Sequence, residues 1–122
     1  MSDKATVTGQ FNLVNESSNA NILSYDMASI FETVTGITEH NKVVRQIVNT
    51  DNVVALDKGG VGAIRGMMIA ITNGVGSITL KHDSNTAGIV INSAMILFGT
   101  IDVITIQTTA TQALTVEYIF FQ

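Results

Sequence analysis

Short runs in which apolar and polar residues alternate fill the second half of the chain, and they constrain its fold more than any other feature. Ile64–Thr72 and Gly76–His82 place apolar side chains at every second position. Alternation with a period of two is typical of a β-strand that buries one face. Ile89–Ile91 and Ala94–Phe98 are shorter apolar runs separated by Asn92-Ser93. The pattern predicts successive strands between residues 64 and 98.

The stretch Thr100–Gln107 changes its alternation part-way along. Ile101 and Val103 share one parity, whereas Ile104 and Ile106 share the other. A β-bulge inserts one extra residue into a strand, so a bulge at Val103-Ile104 would turn both pairs inward. We therefore predict a bulged strand here.

The last predicted strand, Ala113–Phe121, carries apolar side chains on both faces at its end. Ile119 and Phe121 lie on the face opposite to the alternating apolar set, because successive side chains on a strand alternate between faces. Together these strands predict a core whose residues are mostly buried: Met67, Ile69, Ile71, Ile78, Leu80, Ile104, Ile106, Leu114, Val116 and Tyr118.

Asn73-Gly74 is the strongest turn signal in the chain. Both residues tolerate positive φ, as the two-residue turn of a hairpin requires. We predict that this pair joins Ile64–Thr72 to Gly76–His82 in a hairpin. Asp83-Ser-Asn-Thr86 predicts a second turn.

The first half of the chain is less decisive. Residues 1–24 are polar and rich in Asn and Ser, apart from short apolar pairs. They predict either an extended N-terminal arm or a first strand at Ala5–Val14 that is broken at Gly9. Lys42–Asn49 fits a helical face by its spacing and a strand by its β-branched content.

Residues 26–36 are the best local helix candidate. Ser29 and Glu32 have the spacing of a capping box, and Gly36 can end a helix. The β-branched residues at positions 33–35 are stiff, so we expect a short helix at most.

The predicted fold class is all-β: an antiparallel β-sandwich or a jelly-roll-like arrangement, with at most one short helix and an extended N-terminal arm. Residues 1–24 form the arm, or a first strand and loop. Residues 25–122 form the β-sandwich, within a single domain overall.

The charge of the chain is low and dispersed. Charged residues make up 13% of the 122 residues, against about 25% in typical soluble domains. Two interpretations remain open: another subunit covers part of the surface, or Thr, Ser and Asn form a neutral surface. The six basic residues are scattered and the net charge is −4. Nucleic-acid binding needs a concentrated basic face, so we expect none.

Membrane insertion and classical secretion are not expected either. The apolar runs are much shorter than the roughly 20 residues that span a bilayer. The N-terminal residues also lack the apolar core of a signal peptide.

The sequence contains no evident catalytic constellation. His82 stands beside Asp83, but neighbours on a strand point to opposite faces, and no activated Ser or Cys is identifiable. The chain has no Cys, so it has no thiolate metal site. Lys58-Gly-Gly-Val-Gly-Ala lacks the Gly-Lys-Ser/Thr ending of a phosphate loop and predicts a connector. We expect a protein that is not an enzyme and binds no cofactor or metal.

The stretch Thr72-Asn-Gly-Val-Gly-Ser-Ile-Thr-Leu-Lys-His-Asp-Ser-Asn85 resembles a pattern in bacteriophage fibre and head-surface proteins. In those proteins a strand ending like Leu-Lys-His-Asp-Ser precedes a small-residue segment and then two or three final apolar strands. The resemblance covers about half of the chain, from Ile64 onward. The Tyr-Asp-Gly-type turn and Trp-containing strand of many members are missing here. The resemblance implies an all-β, often trimeric, surface-exposed virion component.

The resemblance and the low charge lead to a functional hypothesis. We expect a capsid decoration or head-fibre protein, assembled in the host cytoplasm, that contacts other virion proteins such as the major capsid protein. The alternative is a receptor- or carbohydrate-binding tip of a tail fibre, although aromatic side chains for sugar stacking are scarce.

Self-association is expected through the C-terminal half of the chain. From Gly88 to Gln122 the only charged residues are Asp102 and Glu117. We expect a homo-oligomer, with the trimer taken from the resemblance, and candidate interface residues Met68, Ile119 and Phe121. A second sheet of the same chain is the other cover that remains open.

Overall fold

The computed structural model describes residues 2–84 and 87–122, and it shows an all-β chain with antiparallel sheets, as predicted. The chain divides into two compact units. The first extends to Thr38, and the second runs from Glu39 to Gln122.

The first unit contains two antiparallel strand pairs. β1 (Asp3–Ala5) pairs with β4 (Val34–Ile37), and β2 (Gln10–Val14) pairs with β3 (Asn21–Asp26). A four-residue helix, α1 (Met27–Ile30), follows β3. The β2–β3 pair forms a hairpin whose connecting loop spans residues 15–20.

The described part of the second unit contains eight strands, which form two four-stranded antiparallel sheets. The strands are β5 (His40–Ile47), β6 (Val54–Ala55), β7 (Ile64–Asn73), β8 (Ile78–His82), β9 (Ile89–Ile91), β10 (Ala94–Ile101), β11 (Ile104–Gln107) and β12 (Leu114–Phe121). The sheet ordered β10-β7-β12-β5 is called the front sheet, and the sheet ordered β6-β11-β8-β9 the back sheet. Eight strands distributed between two sheets in this order form a jelly-roll sandwich.

The core lies between the two sheets and is filled by alternate residues of both. Met67 and Tyr118 of the front sheet belong to the same buried cluster as Leu80 and Ile106 of the back sheet. The core prediction is confirmed, since the predicted residues are at most 3% exposed except Ile71, which is half-buried. Alternation with period two therefore identified the inward faces correctly.

The hairpin predicted at Asn73-Gly74 is wrong. β7 lies in the front sheet and β8 in the back sheet, so the two strands do not pair. Gly74 does adopt positive φ, at 97°, and Gly76 follows with φ 149°. The Asn-Gly pair therefore predicted the positive φ correctly, because glycine adopts positive φ readily. Here that conformation carries the chain from one sheet to the other.

The bulge predicted at Val103-Ile104 is also wrong. β10 ends at Ile101 in the front sheet, and β11 begins at Ile104 in the back sheet. Val103 lies in the link between them and is 60% exposed. The change of alternation therefore marks a change of sheet. Each sheet needs its own inward face, so the parity starts again after the link.

The structure decides between the alternatives that the sequence of the first half left open. Lys42–Asn49 is mostly strand β5, in agreement with its β-branched content. The break at Gly9 is present, with φ 109° just before β2. The predicted short helix is α1, but the side chain of Asp26 caps it by accepting a hydrogen bond from Ala28 N–H at 3.1 Å. The predicted cap at Ser29 was wrong.

The turn predicted after β8 lies partly outside the described residues, because these exclude Asn85 and Thr86. Asp83 and Ser84 do form a turn, and Asp83 adopts φ 51°. β8 pairs directly with β9 beyond this turn.

Candidate interaction surface

The outward face of the front sheet carries a row of apolar side chains. Met68 lies between Met67 and Ile69, which point into the core, so its own side chain lies on the opposite face. The strand register places Met68 opposite Ile96 on β10 and opposite Ile119 on β12. We call Ile96, Met68 and Ile119 the front row. Ile96 is 39% exposed, and the other two are half-buried.

The residues beside the front row keep this part of the sheet apolar. Ala94 pairs with Ala70 on one side of the row. Charged side chains follow on β12 and β5: Glu117 lies opposite Ala70 in the register, and its Oε1 is 2.7 Å from Lys42 Nζ. The exposed pair contributes little to stability. The face is therefore apolar on β10 and β7, and it becomes charged across β12 and β5.

Phe121 lies on the same face, but its own sheet covers it. It is 6% exposed, and it is opposite Gly66 in the register. Its ring occupies the space where a side chain at position 66 would stand. This ring packs against Phe98 in an edge-to-face arrangement, with ring centroids 5.8 Å apart and planes at 81°. Of the three candidate interface residues, Met68 and Ile119 thus lie together in the front row, while Phe121 packs within the chain.

The first unit carries a second apolar surface, on the β2–β3 hairpin. Phe11 is opposite Tyr25, and Leu13 is opposite Leu23, so all four side chains share one face. They are exposed by 49%, 46%, 49% and 38%, respectively. We call these four residues the hairpin face. Every residue of both strands is exposed.

The other face of this hairpin is polar and hydrogen-bonded. Ser24 Oγ donates to Asn12 Oδ1 at 2.7 Å, and Gln10 Nε2 donates to Ser24 Oγ. The hairpin is therefore amphipathic. The sequence interpretation missed it, because the Asn- and Ser-rich loop dominates the composition of this region. The available signal was the alternation of Phe11 with Leu13 and of Leu23 with Tyr25.

His82 and Asp83 contact each other, contrary to the argument from alternation. His82 Nδ1 lies 3.1 Å from Asp83 Oδ2. Asp83 has left the strand with positive φ, so the rule of opposite faces does not apply. The hydrogen bond from His82 is the main reason why the pKa of Asp83 is lowered.

The same carboxylate holds the link between β10 and β11. Asp83 Oδ1 accepts a hydrogen bond from Asp102 N–H at 2.9 Å, and Asp83 N–H donates to Val103 O at 2.7 Å. Lys58 Nζ in turn contacts Asp102 Oδ1 at 2.7 Å. The His82–Asp83 pair therefore stabilises the link between β10 and β11.

The glycine-rich segment after Lys58 forms a turn in the β6–β7 connection. Gly59 N–H donates to Asp57 Oδ1 at 2.8 Å, and Val61 N–H donates to Lys58 O at 3.1 Å.

Across residues 2–84 and 87–122, no group of three or more His, Cys, Asp or Glu side chains could hold a metal ion. No helix in the described part of the chain is long and apolar enough to cross a membrane.

A shallow polar depression of about 280 Å³ lies on the outward face of the back sheet. Thr79 and Lys81 of β8 line one side, and Gln107 and Thr109 line the other. Hydroxyl, amide and ammonium groups of this kind can bind polar ligands through hydrogen bonds.

No protein-family model, curated protein or solved structure matches this chain. Its function is therefore inferred from its own surfaces.

Proposed function

We propose that this chain is a structural subunit that works by packing against other subunits through apolar sheet faces. The observation that carries the proposal is the front row, where Ile96, Met68 and Ile119 lie side by side on an outward sheet face. Contiguous exposed apolar surface in a soluble protein marks a site of association. The low fraction of charged residues, 13%, is consistent with a surface that becomes covered.

The assembly we propose is a bacteriophage virion, in which the chain is a non-catalytic capsid decoration or head-fibre component. The resemblance of Thr72–Asn85 to phage surface proteins supports this class, and it also supports a trimer in contact with the major capsid protein. A jelly-roll sandwich suits the task, because it presents two broad sheet faces on a rigid core.

A substitution in the front row tests the packing role. Met68→Asp places a charge in the centre of the row, where a covered interface would have to desolvate it. Thr79→Asp is the matched control, because it places the same charge on the outward face of the back sheet. We expect size-exclusion chromatography to show a smaller species for Met68→Asp alone. Equal elution of both variants and the parent protein would contradict the proposal.

The virion assignment has a separate test. Immunogold labelling with an antibody against the protein should decorate purified phage particles from a host that carries the gene. Labelling restricted to cell debris would reject the virion while leaving self-association intact.

A second candidate function is recognition of a receptor or carbohydrate, as in a tail-fibre tip. The polar depression bounded by Thr79, Lys81 and Gln107 favours it. A glycan array with the parent protein and Gln107→Ala tests this function, and it requires a glycan signal that the variant loses.

A further inference from the structure

Asn73 is the only asparagine in the sequence that is followed by glycine. Asparagine is one of the chemically labile residues of proteins. Its side-chain amide is lost most readily before glycine, because glycine has no side chain to hinder the backbone nitrogen that attacks this amide. Asn73 is the last residue of β7, and Gly74 begins the link to β8. Both residues are exposed, so water and hydroxide can reach them.

The side-chain amide of Asn73 lies beside the backbone nitrogen that would attack it. Gly74 N–H donates a hydrogen bond to Asn73 Oδ1, with 3.0 Å between the two atoms. Oδ1 is bonded to Cγ, the atom under attack, so Cγ also lies close to the Gly74 nitrogen. The register of β7 with β12 ends at Asn73, opposite Thr115, so the Gly74 N–H lies beyond the strand ladder. The reacting groups are therefore adjacent in the folded chain.

The fold itself requires glycine after Asn73. Gly74 has φ 97°, and a Cβ at this position would come within 2.8 Å of Leu114 Cδ2 and 3.0 Å of Ala113 O. A side chain at position 74 would hinder ring closure, but the positive φ and this close packing both favour glycine. The step between the two sheets therefore places an unhindered nitrogen next to an exposed asparagine amide.

We propose that Asn73 is a site of spontaneous backbone modification, at which the folded protein converts the Asn73-Gly74 bond into an isoaspartyl linkage. The Gly74 nitrogen gives its proton to hydroxide and bonds to Asn73 Cγ, and the side-chain –NH2 takes a proton from water and leaves as ammonia. The product is a five-membered succinimide ring. Water opens this ring at the former main-chain carbonyl to give isoaspartate, or at the former side-chain carbonyl to give aspartate. Water is the only co-reactant consumed.

The isoaspartyl product changes the link between the two sheets. The main chain then runs through the former side chain, so it gains one methylene between Asn73 Cα and Gly74 N. A free carboxylate is added, which makes the net charge one unit more negative than the original −4. The extra methylene displaces Gly74 relative to Leu114, which is fully buried. The passage into β8 should therefore loosen as the protein ages. This reaction is independent of the proposed packing role.

Incubation in water enriched in oxygen-18 tests the site directly. The folded protein is held at pH 8 and 37 °C, and samples are digested and analysed by mass spectrometry over several weeks. We expect the peptide that contains residue 73 to lose ammonia and gain labelled oxygen, with more isoaspartate than aspartate. Aspartate without isoaspartate would overturn the proposal, because direct hydrolysis of the side chain gives aspartate alone.

Asn92 is the matched internal control for this experiment. It is exposed like Asn73, but it is followed by Ser93, whose side chain hinders ring closure. Asn92 should therefore react more slowly than Asn73 in the same sample. A rate at Asn73 equal to or below that at Asn92 would overturn the proposal.

A parallel incubation in denaturing guanidinium separates the folded geometry from the sequence. We expect Asn73 to react in the folded protein at least as fast as in the unfolded chain, because the amide and the nitrogen are already adjacent. Asn73→Gln should suppress the reaction in both, since its longer side chain would have to close a six-membered ring. Reaction of Asn73 only in guanidinium would show that the fold protects it, and would overturn the proposal.

Melting temperatures test the consequence for the fold. The aged protein is separated from the parent protein by anion exchange, because it carries the additional negative charge. The control is Asn73→Asp, which adds the charge at an exposed position without lengthening the main chain and should melt like the parent protein. The isoaspartyl form should melt at a lower temperature. Equal melting of the isoaspartyl form and Asn73→Asp would overturn the loosening of the link.

Discussion

Gly66 is the residue on which the packing of the last strand depends. It is buried, and the ring of Phe121 from β12 lies directly over it. A methyl group at this position would overlap the ring, so the ring would have to move away from Phe98 as well. The sequence predicted that Phe121 points outward, but it could not reveal its cover, because the cover depends on which residue of β7 the register places opposite.

Gly66→Ala should therefore destabilise the protein by about 1–3 kcal/mol, as overpacking usually does. The control is Gly99→Ala in β10, where the nearest atom to an added Cβ is Leu97 Cδ1 at 3.9 Å. Urea denaturation of both variants measures the difference. Comparable midpoints for the two would show that Phe121 does not depend on Gly66.

Gly74 is the residue that permits the step between the two sheets. Its φ is 97°, and an added Cβ would come within 2.8 Å of Leu114 Cδ2 and 3.0 Å of Ala113 O. A β-branched residue tolerates this φ poorly. Gly74→Val should cost roughly 1–3 kcal/mol, measured as a lower melting temperature. Val75→Ala next to it should melt like the parent protein. The expectation fails if Gly74→Val also melts at the parent temperature.

The phenol of Tyr118 makes the stability of the fold depend on pH in the alkaline range. Burial raises the pKa of its phenol above the ordinary value of 10.0, and its oxygen accepts a hydrogen bond from Asp57 N–H at 3.1 Å. Above pH 10 the unfolded chain loses the phenol proton before the folded chain does. Stability should therefore be complete below that pH and fall as pH rises toward the raised pKa.

Denaturation at several pH values between 8 and 11 should show this fall in the parent protein and a smaller one in Tyr118→Phe. Ultraviolet titration of a Tyr25→Phe variant isolates the phenol of Tyr118 and should place its ionisation above pH 10. Ionisation at or below pH 10 would contradict the assigned burial.

At the scale of elements, the positions of the strands in the second half were predictable, whereas their partners were not. Alternation along β7 or β12 is a local property, because it records which side chains face the core. The assignment of a strand to a sheet depends on contacts with distant residues. The links Gly74–Ser77 and Asp102-Val103 therefore looked like a hairpin turn and a bulge, although both carry the chain between sheets.

Thr108 lies just after β11, and its buried hydroxyl satisfies two backbone hydrogen-bonding groups at the end of the back sheet. Thr108 is 5% exposed, and its Oγ1 donates to Ser77 O at 2.7 Å and accepts from Ala110 N–H at 3.1 Å. Thr108→Val keeps the shape but leaves both backbone groups without this partner. We expect a loss of about 1–3 kcal/mol of stability.

Thr109→Val is the control for this prediction, because Thr109 is exposed. It should change stability by less than about 0.5 kcal/mol. Guanidinium denaturation compares the two variants, and a loss of the same size in both would show that the Thr108 hydrogen bonds do not matter.

The apolar face of the β2–β3 hairpin could not be predicted from the composition of this region. Its strands are five and six residues long, too short for alternation to stand out beside the polar loop that joins them. Once the register is known, the pairs Phe11–Tyr25 and Leu13–Leu23 reveal an apolar face. The candidate surface in the front sheet was partly predictable, since Met68 and Ile119 were identified by parity. Its third member, Ile96, required the pairing of β10 with β7.

At the scale of the whole molecule, the two apolar surfaces lead to one conclusion. A jelly-roll sandwich buries its core within one chain, and that core is complete without a partner. The front row and the hairpin face are additional to it. We therefore expect association through the front row, which would agree with the low fraction of charged residues, 13%.

Light scattering coupled to size-exclusion chromatography, at protein concentrations from 1 to 100 micromolar, measures whether the protein self-associates. The chain has a mass of 13.0 kDa. We expect a mass that is a whole multiple of this value, with three chains as the expected number, and a decrease toward one chain in Met68→Asp. A mass of 13.0 kDa for the parent protein across the whole concentration range would contradict self-association.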